Sequence, residues 1–203
     1  VTGVPSRRLW FVRHGETTGQ SSLRFHGSND VPLSDLGRAQ VLALRPLLDG
    51  VAFSAIVHSP LVRAAESARL LAAGIDGPPR LVADERWREI SFGACEGMTE
   101  AEIAAAFPGF WAAYRAGRHD GFPGGELRSA FAARVRSAAL ELAAGTWGGD
   151  LLVVAHRGSI RQALRALLDV PAGERDPFGV ELASVTTVVD EGRWRLEALG
   201  LLP

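Results

Sequence analysis

Four short apolar runs, each followed by a stretch of helical character, restrict the possible folds of this chain more than any other feature. Arg8–Val12, Ala55–His58, Leu81–Ala83 and Leu151–Ala155 read as buried strands, rich in Val, Leu and Ala and bounded by turn residues. Between them the spacing becomes helical. Ser34 and Asp35 are both candidate N-caps for a helix whose apolar face carries Leu36, Ala39, Ala43 and Leu47, with Pro46 set to kink or shorten it. Ser59-Pro60 has the form of a cap followed by proline at the first helical position, and Gly74 supplies a stop. Thr99-x-x-Glu102 is a capping box that opens a helical hairpin through Tyr114, broken near Pro108-Gly109. Gly117–Gly125 reads as a loop, Glu126–Ala144 as a long amphipathic helix closed by Gly145, and Ser159–Leu168 as a further helix. Ser184–Val189 and Arg193–Leu199, joined by Asp190-Glu191-Gly192, form a β-hairpin.

Strands alternating with helices form a parallel sheet, because parallel neighbours need a crossover connection and helices supply it. The expected fold class is therefore α/β: a three-layer α/β/α sandwich with a mostly parallel central sheet. Residues 1–203 read as a single domain, with a small helical cap-like insertion at about 85–125 over one sheet edge. No repeat, low-complexity tract or interdomain linker interrupts it.

Several function classes drop out. A net charge of −1 gives no nucleic-acid footprint and no polybasic membrane patch, and no apolar run is long enough to span a bilayer. The stretch Val1–Ser6 lacks the apolar core of a signal peptide, and Cys95 is alone, so a cytoplasmic location is expected. All 22 basic residues are arginine, which removes P-loop, Schiff-base and Ser–Lys chemistry. Cys95 has Ala101, not arginine, six residues on, so no cysteine-phosphatase loop exists. Gly-x-Ser-x-Gly, His-Glu-x-x-His and clustered Cys/His metal sites are likewise missing, and neither metal nor cofactor is expected.

What remains converges on one end of the sheet. Arg13 and His14 follow the first strand, Arg63 lies in the first turn after the second, and His156 ends the fourth. In open parallel sheets, ligands bind beyond the carboxyl ends of the strands. Guanidinium forks and helix N-termini match the oxygens of a tetrahedral anion, while imidazole serves as nucleophile or donor. Singly, each residue has a duller reading. A histidine at a strand end is most often structural, and Glu89 could simply pair with Arg86 or Arg88. His58 and His119 are assigned structural or solvated roles, and Trp87, Trp111 and the cap phenylalanines a core role.

Leu9–Thr17, reading L-W-F-V-R-H-G-E-T, resembles the signature of the histidine phosphatase superfamily, which includes the cofactor-dependent phosphoglycerate mutases. The resemblance continues in order through Arg24, Gly27, Asp30, Pro32, Leu33, Gly37 and Gln40, then Ser59-Pro60-Leu61-x-Arg63-Ala64. Arg88-Glu89-Ile90-x-Phe92-Gly93-x-x-Glu96-Gly97, Pro123-Gly124-Gly125-Glu126 and Val154-Ala155-His156-x-Gly158 complete it. It implies a phosphoglycerate mutase-like fold and a metal-independent, histidine acid phosphatase-type phosphomonoesterase. His14 would be the nucleophile, forming a phosphohistidine, with Arg13, Arg63 and His156 stabilising charge and Glu89 as acid and base. Gln20, Arg24, His26, Gly27, Arg157 and Gly158 would face the substrate, and Gly15, Glu16 and Thr17 would orient the signature loop. The expected ligand is a small phosphomonoester, and an apolar edge or helix face could support a homodimer.

Three positions depart from the family pattern: Gln20 replaces the usual Asn, Leu127 a Ser, and Arg157 a common Gly. They leave the nucleophile intact and bear on specificity. The motifs resemble the phosphatase branch, with its broad-specificity and α-ribazole phosphatases. The chain also ends at Leu201-Leu202-Pro203, without the closing tail of the mutases, which favours transfer to water. Phosphoglycerate mutase activity is the first alternative. A non-catalytic phosphate-ligand or partner-binding domain is the second.

Overall fold

The computed structural model describes residues 7–171 and 177–203, so the Val1–Ser6 stretch lies outside the described residues. The strands are β1 (Arg7–Arg13), β2 (Phe53–His58), β3 (Arg80–Ala83), β4 (Asp150–Ala155), β5 (Val185–Asp190) and β6 (Trp194–Leu201). The α-helices are α1 (Asp35–Ala43), α2 (Arg45–Leu48), α3 (Val62–Ala72), α4 (Glu100–Ala106), α5 (Pro108–Arg115), α6 (Arg128–Ala144) and α7 (Arg157–Leu167). The sheet order is β3-β2-β4-β1-β5-β6. The first four strands in that row run parallel, while β5 and β6 are antiparallel additions beside β1.

Alternation along the strands builds the three layers. Leu9 and Phe11 of β1, with Leu151 and Val153 of β4, face α6 and α7, meeting Phe131, Val135, Ile160 and Leu164. Val12, Ile56, Leu152 and Val154 face the opposite side, against Val41 of α1, Leu48 of α2 and Ala64, Ala68 and Leu71 of α3. A separate apolar cluster lies among the helices α4 and α5 and the loops beside them. Cys95, Ile103 and Phe122 are buried there among Phe25, Phe92, Phe110, Trp111 and Tyr114. Trp87 and Ile90 belong instead to the sheet core, so the separate cluster begins at Phe92. Among the described residues, no helix is long and apolar enough to cross a membrane.

Pro46 shortens the first helix as its position predicts: α1 ends at Ala43, and Pro46 sits in the first turn of a new short helix, α2, because a missing N–H costs nothing there. Two local outcomes differ from the sequence reading. The helix after β2 starts at Val62, not at Ser59-Pro60, and the Ser59 hydroxyl bonds both Leu61 N–H and His156 Nε2. The last helix starts at Arg157, immediately after His156, whose backbone N–H donates to Ser159 Oγ.

Candidate active site

Strand order decides which side chains meet. With β4 between β2 and β1, the residues just past the three strand ends, Ser59, His156 and His14, stand in a row. Ser59 Oγ lies 2.7 Å from His156 Nε2, and the rings of His156 and His14 are 5.1 Å apart between centroids. All three residues are buried.

His14 Nδ1 lies 2.7 Å from Gly15 O. A carbonyl only accepts, so the ring proton belongs on Nδ1 and the Nε2 lone pair is left available. Burial first, then the charges of Arg63 and Arg13, hold the imidazole well below its usual pKa of 6.5. It is therefore neutral and nucleophilic at neutral pH. His156 is lowered in the same way, by burial and then by Arg63, His14 and Arg13. Ser59 Oγ accepts from Leu61 N–H, and where its own proton goes to His156 Nε2 the ring N–H is on Nδ1.

The two arginines remain cationic although both are lowered to about 10, chiefly by burial. Arg13 donates to Val180 O at 2.9 Å. Arg63 is fully buried, and its terminal nitrogens hold the carbonyls of His26, Gly27 and Asn29 at 2.8–2.9 Å. It thus fixes that loop while placing its charge beneath the histidines. Among the described residues, five buried side-chain nitrogens have no partner: Arg13 Nε, His26 Nδ1, Arg63 Nε, His156 Nδ1 and, in the core, Trp87 Nε1. Buried orphan donors are rare, and three of these belong to the groups around His14. Arg13 and His156 line the cavity beside His14, where oxygens of a tetrahedral anion would meet them; Arg63 lies behind it, outside the lining.

Glu89 stands opposite. Its carboxylate accepts from Ile90 N at 3.0 Å and Gly158 N at 2.8 Å. Arg86 pairs with Asp84 and Glu141, and Arg88 with Glu85, so neither of the salt-bridge partners considered from sequence engages Glu89. A Cβ at position 158 would come within 2.2 Å of Glu89 Oε1, so glycine there lets the carboxylate approach this closely. The Gly158 N–H is thereby spent on Glu89. A cavity of about 170 Å³ is lined by Arg13, His14, Glu89 and His156 together with Arg24, His26 and Arg157.

The other expected residues divide. Arg24 borders the cavity, but its guanidinium is tied to Gly97 O and Glu102. His26 borders it too and bonds Gly19 O. Gly27 does not line the cavity; its carbonyl holds Arg63. Gln20 is exposed at φ 59°, a left-handed turn position where a short amide such as Asn is better tolerated, and it points to no contact with the cavity. Gly15 packs against α1 so closely that a Cβ would meet Gly37 O at 2.2 Å. Glu16 accepts from Thr17 N and Ser22 N, while Thr17 Oγ1 bonds Ser21 Oγ, so both brace the loop after β1.

Three supporting residues carry no signal of a site role in their sequence. Ser59 there has only the form of a helix cap. Glu96, although part of a motif, collects Gly27 N, Ser28 N and Phe92 N at 2.7–2.9 Å and so locks the loop that Arg63 grips. Arg134 bonds Glu126 at 2.7 Å and the carbonyls of Arg86, Arg88 and Glu89, fixing the segment that presents the acid. Such roles are set by long-range backbone contacts, which residue type alone does not signal.

The histidine phosphatase superfamily (branch 1) matches residues 9–201. The chain is 36% identical over 182 residues to the glucosyl-3-phosphoglycerate phosphatase of Mycobacterium tuberculosis, covering 86% of this chain and 81% of that one. It is 31% identical over 175 residues to the adenosylcobalamin/alpha-ribazole phosphatase of Salmonella typhimurium, covering 86% of each. The structure of a mycobacterial glucosyl-3-phosphoglycerate phosphatase with inorganic phosphate superposes with a TM-score of 0.82 at 34% identity, over 97% of this chain and 98% of that one.

Proposed function

From the premise that this chain belongs to the histidine phosphatase superfamily, we propose that it hydrolyses small-molecule phosphomonoesters through a phosphohistidine on His14, without a metal ion. Its relatives bear phosphatase names, which supports a phosphatase and favours transfer to water over the mutase alternative. The observation that carries the mechanism is the hydrogen bond from His14 Nδ1 to Gly15 O, which reserves the Nε2 lone pair of a buried, neutral imidazole.

In the first half-reaction, His14 Nε2 attacks phosphorus in line, the N–P bond forms and the ester P–O bond breaks. Glu89, as general acid, delivers a proton to the departing oxygen. Arg13, Arg63 and the Nδ1–H of His156 stabilise the negative charge on the equatorial oxygens, the part a metal ion plays in other phosphoryl-transfer enzymes. In the second half-reaction, Glu89 takes a proton from water as its oxygen attacks phosphorus, the N–P bond breaks, and phosphate leaves. Pre-positioned donors in a dry site lower the barrier most when they need not reorganise. The hydrogen bonds of Arg63 to the 26–29 loop and of Ser59 to His156 supply that rigidity.

The test is a panel containing p-nitrophenyl phosphate, glucosyl-3-phosphoglycerate, α-ribazole phosphate and 3-phosphoglycerate, assayed with chelator. Free phosphate and isomerised product are measured together. Phosphate release that persists with chelator and disappears in His14→Ala is the expected result. Isomerisation without release would move the chain to the mutases, and loss of turnover with chelator would refute metal independence.

A further inference from the structure

The motif Pro123-Gly124-Gly125-Glu126 stands out in the sequence, yet none of its residues lines the cavity at His14. Neither does Arg134, the residue that Glu126 binds. The contacts of this pair lead instead to the acid.

Arg134 belongs to α6, one turn beyond Phe131, which is buried in the sheet core. A guanidinium offers five N–H donors in one fixed plane. Five hydrogen bonds leave this one, so its donors are fully committed. Nε and Nη2 hold the two carboxylate oxygens of Glu126, each at 2.7 Å. Nη1 donates to the carbonyls of Arg86 and Arg88 at 2.9 Å, and Nη2 also to the carbonyl of Glu89 itself at 3.2 Å. The guanidinium carbon lies 4.8 Å from the centroid of the Phe131 ring, which supports it from the core side. A two-pronged pair of this kind fixes direction as well as distance. Glu126 thus sets the guanidinium plane, and that plane holds the backbone from which the Glu89 side chain departs.

Glu126 is fixed in turn by the rest of its motif. Its N–H donates to Ser91 O at 3.0 Å, and Ala94 N–H donates to Pro123 O at 2.9 Å, so the 91–94 and 123–126 segments lie backbone to backbone. A Cβ on Gly93 would lie 2.3 Å from Pro123 O, and one on Gly125 2.5 Å from Ser91 O; glycine at both positions lets the segments come this close. The chain around Glu89 is therefore held at Ser91 by this contact and at Arg86, Arg88 and Glu89 by Arg134.

We infer that Glu126 and Arg134 are positioning residues for the general acid, and that this is the role of the Pro-Gly-Gly-Glu motif. The inference rests on the reading of Glu89 as the acid. Proton transfer falls steeply with misplacement, and it matters most where the leaving group is poor. Weakening the pair must then slow an alkyl phosphate more than p-nitrophenyl phosphate, whereas a merely structural pair slows both alike.

The experiment measures kcat/KM, which reports the step that breaks the ester bond, for 2-phenylethyl phosphate and p-nitrophenyl phosphate. Wild type is compared with Glu126→Gln, Arg134→Lys, Arg134→Gln, Glu89→Gln and the Glu89→Gln/Arg134→Gln double variant. The ratio of p-nitrophenyl to phenylethyl ester is read, so an unfolded fraction cancels. Glu126→Gln and Arg134→Lys keep part of the hydrogen bonding and decide the matter where Arg134→Gln fails to fold. The ratio should rise about tenfold in Arg134→Gln, less in the two milder variants, and about 10²-fold in Glu89→Gln. Adding Arg134→Gln to Glu89→Gln should raise it no further, because the arginine acts through the carboxyl. Equal losses on both esters in the variants of the pair, or a further rise on top of Glu89→Gln, overturns the inference and leaves the acid reading intact. An unchanged ratio in Glu89→Gln would overturn the acid reading and the inference with it.

Discussion

Gly158→Ala isolates what the acid contributes. The new Cβ would lie 2.2 Å from Glu89 Oε1 and 3.1 Å from Oε2, with backbone fixed on its side, so the carboxylate must retreat by about 1 Å. The 2.8 Å bond from Gly158 N to Oε2 is lost with it. Misplacement on that scale costs about 10²-fold in rate, within the 10²–10⁴-fold range of general acid catalysis. The loss should depend on the leaving group. An alkyl phosphate, whose alkoxide leaves poorly, should lose about 10²-fold in kcat, whereas p-nitrophenyl phosphate, whose phenolate departs readily, should lose much less. Stability should not fall, because alanine replaces glycine in the first turn of α7 without a positive φ to oppose it. The assay is kcat on both esters alongside thermal unfolding. Equal losses on the two substrates, or a loss below about threefold on the alkyl ester, would refute the placement of Glu89 against the departing oxygen.

Other perturbations separate the supporting residues. Ser59→Ala should cost about 1–3 kcal/mol in denaturant unfolding by leaving His156 Nε2 buried without a partner, and should lower kcat more than it changes KM; unchanged stability would contradict the 2.7 Å bond. Glu96→Ala releases the 27–29 loop from the carboxylate that gathers its N–H groups, so it should destabilise by at least about 2 kcal/mol and weaken inhibition by inorganic phosphate; phosphate inhibition equal to wild type would detach this loop from Arg63. His14 and His156 are depressed below 6.5 in the folded state, so the unfolded chain binds more protons as pH falls below about 6.5. Stability should be nearly level above that value with respect to these two groups, then decline by up to about 1.4 kcal/mol per pH unit for each. Urea unfolding between pH 7.5 and 5 would check this, and removing His14 should reduce the slope; a slope unaltered by that substitution would contradict the assignment.

Much of this architecture is legible in the chain because local signals and burial agree. The run Leu9–Val12 alternates its side chains between two helical layers, and Thr99 with Glu102 forms the capping box its spacing announces. His14, Arg63, His156 and Glu89 were accessible because ordered motifs supplied a context that overrides each residue's duller reading. Positions set by tertiary competition were less legible. Ser59-Pro60 has the composition of a helix start, and its hydroxyl does bond Leu61 N–H, but its contact with His156, 97 positions away in sequence, is not announced by residue type. Gly27 sits beside chemically active residues in its motif, but its carbonyl supports Arg63 from outside the cavity. Gln20 is turned outward by a left-handed backbone that its residue type does not announce.

The central claim is that phosphate passes through the Nε2 nitrogen of His14. Rapid acid-free quenching during turnover of a phosphorus-labelled ester, followed by peptide mass analysis, tests it directly. An alkali-stable, acid-labile label is expected on the peptide containing His14, absent from His14→Ala and chased by unlabelled substrate at the rate of turnover. Label accumulating on another residue, or single-turnover product release without any phosphoenzyme even when Glu89→Gln slows its hydrolysis, would contradict it.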